Sequence, residues 1–214
     1  MKTKTTVISS IVMILIALLI GFLLWGQLPD QMASHWNMYD QVDGYISKFW
    51  GVALMPLIGA AMLVLFVVLP KIDPLKENIA EFRPAFNVFI FLIILFLLYV
   101  HGLTIAWSMG WLKDGMGTMI VPAMGFLFIA VGRMISVAKR NYFIGIRTPW
   151  TLANDEVWEK THQLGGKLFT IAGVITFLGV FLKEQAYILL MVTIFSAAII
   201  SSVYSFVIYQ KINK

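Results

Sequence analysis

Two clusters of polar and aromatic residues stand out in a chain that is otherwise apolar. The first lies in residues 26–48, where Asp30, His35, Trp36, Asn37, Asp40, Asp43 and Gly44 are set against one base, Lys48. His35-Trp36-Asn37 offers hydrogen-bonding and aromatic surface suited to a peptide or a polar group. One histidine with scattered aspartates gives no recognisable ligand spacing, so a zinc or calcium site is not expected. Asn37, Asp40, Asp43 and Gly44 bond their own backbone or accept positive φ, and they predict a turn over residues 38–44.

The second cluster lies in residues 139–166 and contains Asn141, Gly145, Arg147, Thr148, Pro149, Trp150, Trp158 and His162. Residues 141–147 alternate, with Tyr142, Ile144 and Ile146 on one side and Phe143, Gly145 and Arg147 on the other, which predicts an extended ribbon. Thr148 precedes Pro149 and favours extended geometry as well. Asn154 is a good N-cap, and Asp155 and Glu156 suit the positive first turn of a helix that Gly165-Gly166 would stop. On that helix Trp158, Thr161, His162 and Gly165 share one face. Two readings fit such a segment: an interfacial helix lying on the membrane surface, or a docking surface for a cytoplasmic partner. Arg147 suits a carboxylate or phosphate held in a fork, or else a pair with Glu156, Glu159 or lipid phosphate. His162 suits a pH sensor, or a helical histidine that is simply hydrogen-bonded.

Known catalytic patterns are missing. The chain has no cysteine, which excludes disulfides, thiolate metal sites and cysteine nucleophiles. It carries no phosphate-binding loop, HExxH helix or nucleophile elbow. Arg147, Trp158 and His162 lack a carboxylate partner at motif spacing, so neither an enzyme nor a cofactor is expected.

The elements that must carry these clusters follow from composition. Of 214 residues, 60% are hydrophobic and 13% charged, against about 45–50% and about 25% in a soluble domain. Six stretches lack Asp, Glu, Lys and Arg: residues 5–29, 49–70, 84–112, 115–132, 168–182 and 185–210. Five reach the roughly 18 residues of a spanning helix, and the fifth does so if counted from Leu164 with Lys167 snorkelling. The prediction is an all-α, polytopic membrane protein with six transmembrane helices and no room for a soluble catalytic domain. The first span, preceded by Lys2 and Lys4, is read as a retained helix because no small-x-small cleavage site follows its long apolar run. Pro70, Pro74 and Pro84 predict a short rigid connector over residues 71–83.

The formal charge of +5 is spread along the span edges, unlike the clustered basic face that nucleic acid requires. With the amino terminus inside, thirteen Lys and Arg residues fall on inner segments and only Lys48, Lys113 and Lys183 on outer ones. That asymmetry places both termini on the cytoplasmic side and residues 26–48 on the outer side of the membrane. The chain divides into an amino-terminal membrane half, 1–110, with the long outer loop, and a carboxy-terminal half, 111–214, with the long inner loop 139–166. No span carries Asp or Glu in its core, so a carboxylate relay for protons or cations is not supported. His101 is the exception, about 25 Å along the third span and near its outer end. Pro56, Pro122, Gly51, Gly59, Gly125 and Gly132 can kink helices or let them approach, which leaves a small-solute transporter or channel as the alternative class.

Together the two long loops resemble the SdpI-type family, bacterial membrane proteins that give immunity to a secreted sporulation-delaying toxin. The first loop carries the resemblance through Leu28-Pro29-Asp30, His35-Trp36-Asn37 and Asp43-Gly44-Tyr45 followed by Ser47-Lys48. The second carries it through Asn141, Gly145-Ile146-Arg147-Thr148-Pro149, Trp150-Thr151-Leu152, Trp158, His162 and Gly165. The resemblance implies a six-helix protein in contact with lipid that protects its producer from a membrane-attacking peptide. It also implies signalling, in which the toxin-bound protein holds a small cytoplasmic transcriptional repressor at the membrane. The outer cluster would then face the toxin and the inner cluster the repressor.

Overall fold

The computed structural model describes residues 1–112 and 115–212, with the backbone alone at Lys183 and Glu184. Lys113 and Lys214, counted above among the loop bases, lie outside the described residues, as does the side chain of Lys183. In chain order the elements are α1 (Thr3–Leu23), a hairpin of β1 (Gln31–Trp36) and β2 (Val42–Ser47), α2 (Lys48–Ile72), α3 (Lys76–Ser108), α4 (Met116–Val137), α5 (Pro149–Ala153), α6 (Asp155–Leu178) and α7 (Ala186–Ile212). A 3-10 segment, Gly179–Gln185, joins α6 to α7. Six helices are long and apolar enough to cross a membrane: α1, α2, α3, α4, α6 continued to Leu182, and α7. Large apolar side chains such as Leu15, Leu19, Ile188, Phe195 and Ile199 stay exposed on their outer faces. Helices apolar all round are membrane spans, and this is a multi-pass membrane protein.

The spans pack as two groups, α1 with α2 and α3, and α4 with α6 and α7. One core joins them: Ile14, Leu63, Ile79, Phe82, Phe86, Ile90 and Ile94 meet Met134, Ile135, Ala138, Ile144 and Trp158. The hairpin caps one end of the bundle. Residues 1–3, the α2–α3 connection, the segment 138–154 and the end of α7 gather at the other, where Asn87 Nδ2 donates to Met1 O and Thr148 bonds Ser205.

Three local expectations change. The connector between the second and third spans is only residues 73–75, because α2 runs through Pro70 to Ile72 and α3 already contains Pro84. A proline removes one helical hydrogen bond, and the charged turns around Lys76, Glu77 and Glu81 continue the helix past the apolar stretch. Residues 141–147 form no ribbon; 142–145 are bends, since no neighbouring strand is there to pair with them. Gly165-Gly166 does not stop a helix either; α6 is continuous from Asp155.

Those glycines serve close packing. A Cβ on Gly166 would lie 2.7 Å from the Ser136 Cβ, one on Gly132 would lie 2.6 Å from the Gly166 carbonyl, and one on Gly173 would lie 2.6 Å from the Gly125 carbonyl. The backbones of α4 and α6 therefore touch along their length, the arrangement by which helices gain dispersion contact in lipid. Replacing Gly166 with Leu should cost about 1–3 kcal/mol of overpacking and lower the melting temperature of the detergent-solubilised protein. An unchanged melt would show that the two helices are not in this contact.

Candidate functional site

At the hairpin end the turn is organised by Asn37. Its Oδ1 accepts from Tyr39 N at 2.9 Å and Gln41 N at 3.1 Å, and its carbonyl accepts from Asp40 N at 3.0 Å. This tight closure holds Asp40 in the left-handed region, φ 59°, which aspartate tolerates. The turn aims Asp40 at the start of α4, where its Oδ1 accepts from Gly117 N at 2.8 Å. The N-cap residue Gly115 has no side chain to perform this role. Asp40 thus caps a helix from 77 positions away, a carboxylate on free N–H groups at the positive end of the dipole.

The hairpin is seated on the bundle by Met32, which is fully buried with Leu28, Val52 and Ile105. A Cβ on Gly51 would come 2.5 Å from the Met32 sulfur, so glycine there admits the side chain. Trp36 stands edge-on to Trp107, with ring centres 5.9 Å apart. Across the strands His35 Nδ1 pairs with Asp43 Oδ1 at 2.5 Å in the open. Gly44 lies opposite His35, whose Cβ would be 2.9 Å from any Cβ added there. Asp30 pairs with Lys48 at 3.1 Å at the base of the hairpin.

Between the hairpin and α7 runs an apolar groove of about 410 Å³, with His35, Trp36, Asn37 and Met38 on one wall and Tyr187, Ile188, Met191 and Val192 on the other. Trp36 lines it and carries a buried Nε1–H without a hydrogen-bond partner among the described residues. Of the residues 26–48 singled out in the sequence, His35, Trp36 and Asn37 therefore meet at the groove. Asp43 orients His35, Asp40 is committed to α4, and Asp30 and Gly44 shape the hairpin. The α7 wall gave no sequence signal, being four unremarkable letters of an apolar span.

At the other end the residues of the second cluster form one hydrogen-bonded tie. Asn141 is fully buried and uses its whole amide: Oδ1 accepts from Phe143 N and Ile144 N, and Nδ2 donates to the Lys139 and Ile144 carbonyls. Gly145 has φ +110°, and a Cβ there would sit 2.4 Å from His162 Nε2. That nitrogen accepts from Ile146 N at 3.0 Å, while Nδ1 is bonded to the Trp158 carbonyl. Trp158 stacks on His162 at 3.9 Å and donates from Nε1 to Ala138 O. Thr148 and Thr151 form a capping box for α5 with Pro149 in its first turn, Thr148 also bonds Ser205 at 2.9 Å, and Trp150 packs on Phe206. Arg147 donates to the Tyr142 carbonyl, while Glu156 pairs with Lys160 and Glu159 accepts from Gln163.

Trp158 and His162 are 2% and 1% exposed, so they face the protein interior and α6 is not a helix lying flat on the surface. Sequence reasoning missed Asp73, also buried, whose carboxylate accepts from Leu75 N and Tyr142 N. A polar cavity of about 500 Å³ opens beside this tie, with Asn78, Glu81, Lys139, Arg140, Asp155 and Glu159 on its rim. Among the described residues no three His, Asp or Glu side chains gather as metal ligands.

A six-span helical bundle with a hairpin capping one end and a hydrogen-bonded loop closing the other defines a multi-pass bacterial membrane protein with a groove at one end and a cavity at the other. Residues 137–205 match the SdpI/YfhL protein family, and residues 12–60 match a domain of unknown function, DUF1648. The immunity protein SdpI of Bacillus subtilis (strain 168) is 26% identical over 207 residues, covering 96% of this chain and 97% of that protein. No solved structure matches. The likeness to SdpI-type membrane proteins thus extends over nearly the whole chain, and the segment that matches the family model lies in its carboxy-terminal half.

The two hairpin aspartates should separate on substitution. Asp40→Ala removes a cap and should cost about 1 kcal/mol of stability, whereas Asp40→Asn, still a capping side chain, should cost less. Asp43→Ala breaks an exposed pair and should leave the melting temperature unchanged. Equal melts for Asp40→Ala and Asp43→Ala would contradict the capping role.

Proposed function

We propose that this chain is a membrane immunity protein that protects its cell from a secreted antimicrobial toxin peptide, and that the groove between the hairpin and α7 receives the peptide. The observation that carries this reading is the groove itself. It is apolar, it is walled on one side by a lipid-facing span, and it borders Trp36 with its unpartnered N–H. An apolar peptide segment at the membrane surface could fill it and pack against the Trp36 ring. The name of the Bacillus relative supports immunity, and the 13 to 3 distribution of bases supports an outward-facing hairpin.

Signalling is the finer part of the proposal. A small cytoplasmic repressor would meet the opposite end at the cavity rim, through Glu81, Lys139 and Glu159. Buried Trp158 and His162 would hold the shape of that surface from within.

In a toxin-sensitive strain, expression of the chain should raise survival, and Val192→Trp, which fills the groove, should abolish protection at normal membrane levels. Glu81→Lys with Glu159→Lys should release the repressor from membranes and leave survival intact. Unchanged protection by Val192→Trp would remove the groove from the mechanism. Loss of protection in the rim variant would make the inner surface part of immunity itself.

Orientation is tested separately in this cysteine-free chain. Ser34 and Ser136 are exposed at opposite ends, and single cysteines there should label in intact cells at Ser34 only with an impermeant thiol reagent. Labelling at Ser136 alone would invert the topology.

A further inference from the structure

A second groove lies on the lipid-facing side of the molecule, between α3 and α4. It comprises cavities of about 580 Å³ and about 440 Å³ that share Leu92 and Phe126 in their linings. Small side chains, Ala85 and Ala130, line the part near Met1. Tyr99 closes the far part with a hydrogen bond to the Met119 carbonyl at 3.2 Å. From Pro84 to Tyr99 the helical rise makes the channel about 22 Å long, more than the roughly 15 Å of one leaflet's hydrocarbon.

The mouth of this channel is charged. Arg133 lines it, stays exposed, and has no carboxylate partner among the described residues. No lining residue of either cavity is acidic. Arg133 directly follows the uncharged stretch 115–132, and Arg83 directly precedes the uncharged stretch 84–112. Both therefore mark the edge of the hydrocarbon layer, the level at which phospholipid headgroups sit.

We propose that the α3–α4 groove is a binding site for an anionic phospholipid, with the headgroup phosphate on the Arg133 guanidinium and one acyl chain lying along the channel toward Tyr99. A guanidinium can engage phosphate through two parallel donors, and its unbalanced positive charge favours a lipid of net negative charge over a zwitterion with the same phosphate. The apolar channel supplies affinity for the chain in any phospholipid, so headgroup preference and chain binding rest on different residues. This site is independent of the hairpin groove and of the immunity reading.

Native mass spectrometry of the purified full chain tests the site with dioleoyl phosphatidylglycerol and dioleoyl phosphatidylcholine, which share acyl chains and differ in net charge. The wild-type protein should retain phosphatidylglycerol about fivefold over phosphatidylcholine, the scale of one basic group at a membrane surface. Arg133→Gln should equalise the two, Arg133→Lys should keep most of the preference, and Ala130→Phe should reduce retention of both. Absence of a preference in the wild type, or a preference untouched by Arg133→Gln, would overturn the proposal. So would a disulfide between two copies formed through Val88→Cys, because the groove would then be an interface with a second chain.

Discussion

Where the chain leaves α4 at Val137 and enters α5 at Pro149, eleven residues pass beside the membrane with neither a helix nor a sheet to satisfy their backbone. Unpaired peptide groups are costly there, and the rest of the inner end is arranged around meeting that cost. Asn141 does most of it with four hydrogen bonds from one amide. His162 accepts from the Ile146 N–H, the Thr151 hydroxyl donates to the Ile146 carbonyl, Asp73 accepts from the Tyr142 N–H and the Trp158 indole N–H donates to the Ala138 carbonyl. These donors and acceptors come from the α2–α3 turn, from α5, from α6 and from the loop itself. Satisfying the loop thus locks the two groups of spans together at this end, and the positive φ of Gly145 is what lets the loop turn close enough to the imidazole.

The opposite end meets a similar constraint with fewer parts. The free N–H groups at the start of α4 have no side-chain partner in Gly115 before them, and Asp40 reaches across from the hairpin to supply one. A hairpin of two strands is marginal by itself in water. Here Met32 seats it between α2 and α3, and the Asp40 contact fastens its tip to α4. The groove wall formed by His35, Trp36 and Asn37 is rigid for that reason, and a rigid wall binds with less loss of conformational freedom than a free loop.

Sequence reading found the spans because the apolar length of a membrane helix is set by the bilayer and leaves a continuous signal. It found the residue types of both clusters because polar letters are rare in such a chain. What it could not find was direction. Asp40 and Asp43 look equivalent in the sequence, yet a single positive φ sends one to a helix end and leaves the other on the surface. Trp158 and His162 look like an outward stripe, because helical periodicity reports which residues share a face and is silent on what that face meets. Gly165-Gly166 reads as a stop in water, whereas close helix contact in lipid favours the same residues. Tyr187, Ile188, Met191 and Val192 were invisible because lipid-facing and groove-facing positions of a span use one alphabet.

The position of α7 gives the proposed signalling a physical route. Its first two turns form a wall of the hairpin groove, and its last turns hold Ser205 against Thr148 and Phe206 against Trp150. The helix is continuous over 27 residues, about 40 Å, so displacement at one end is carried to the other without an intervening loop. A bound peptide shifts such an equilibrium only by the difference in its contacts with two arrangements of the helix. The contacts able to differ at the inner end are those of Thr148 and Trp150, both on the segment that also positions Arg147 and the tie to His162. Occupancy outside would then be read inside as a change in how α5 is held, and Arg140, which lines the cavity and donates to the Leu152 carbonyl of α5, would carry that change to the rim.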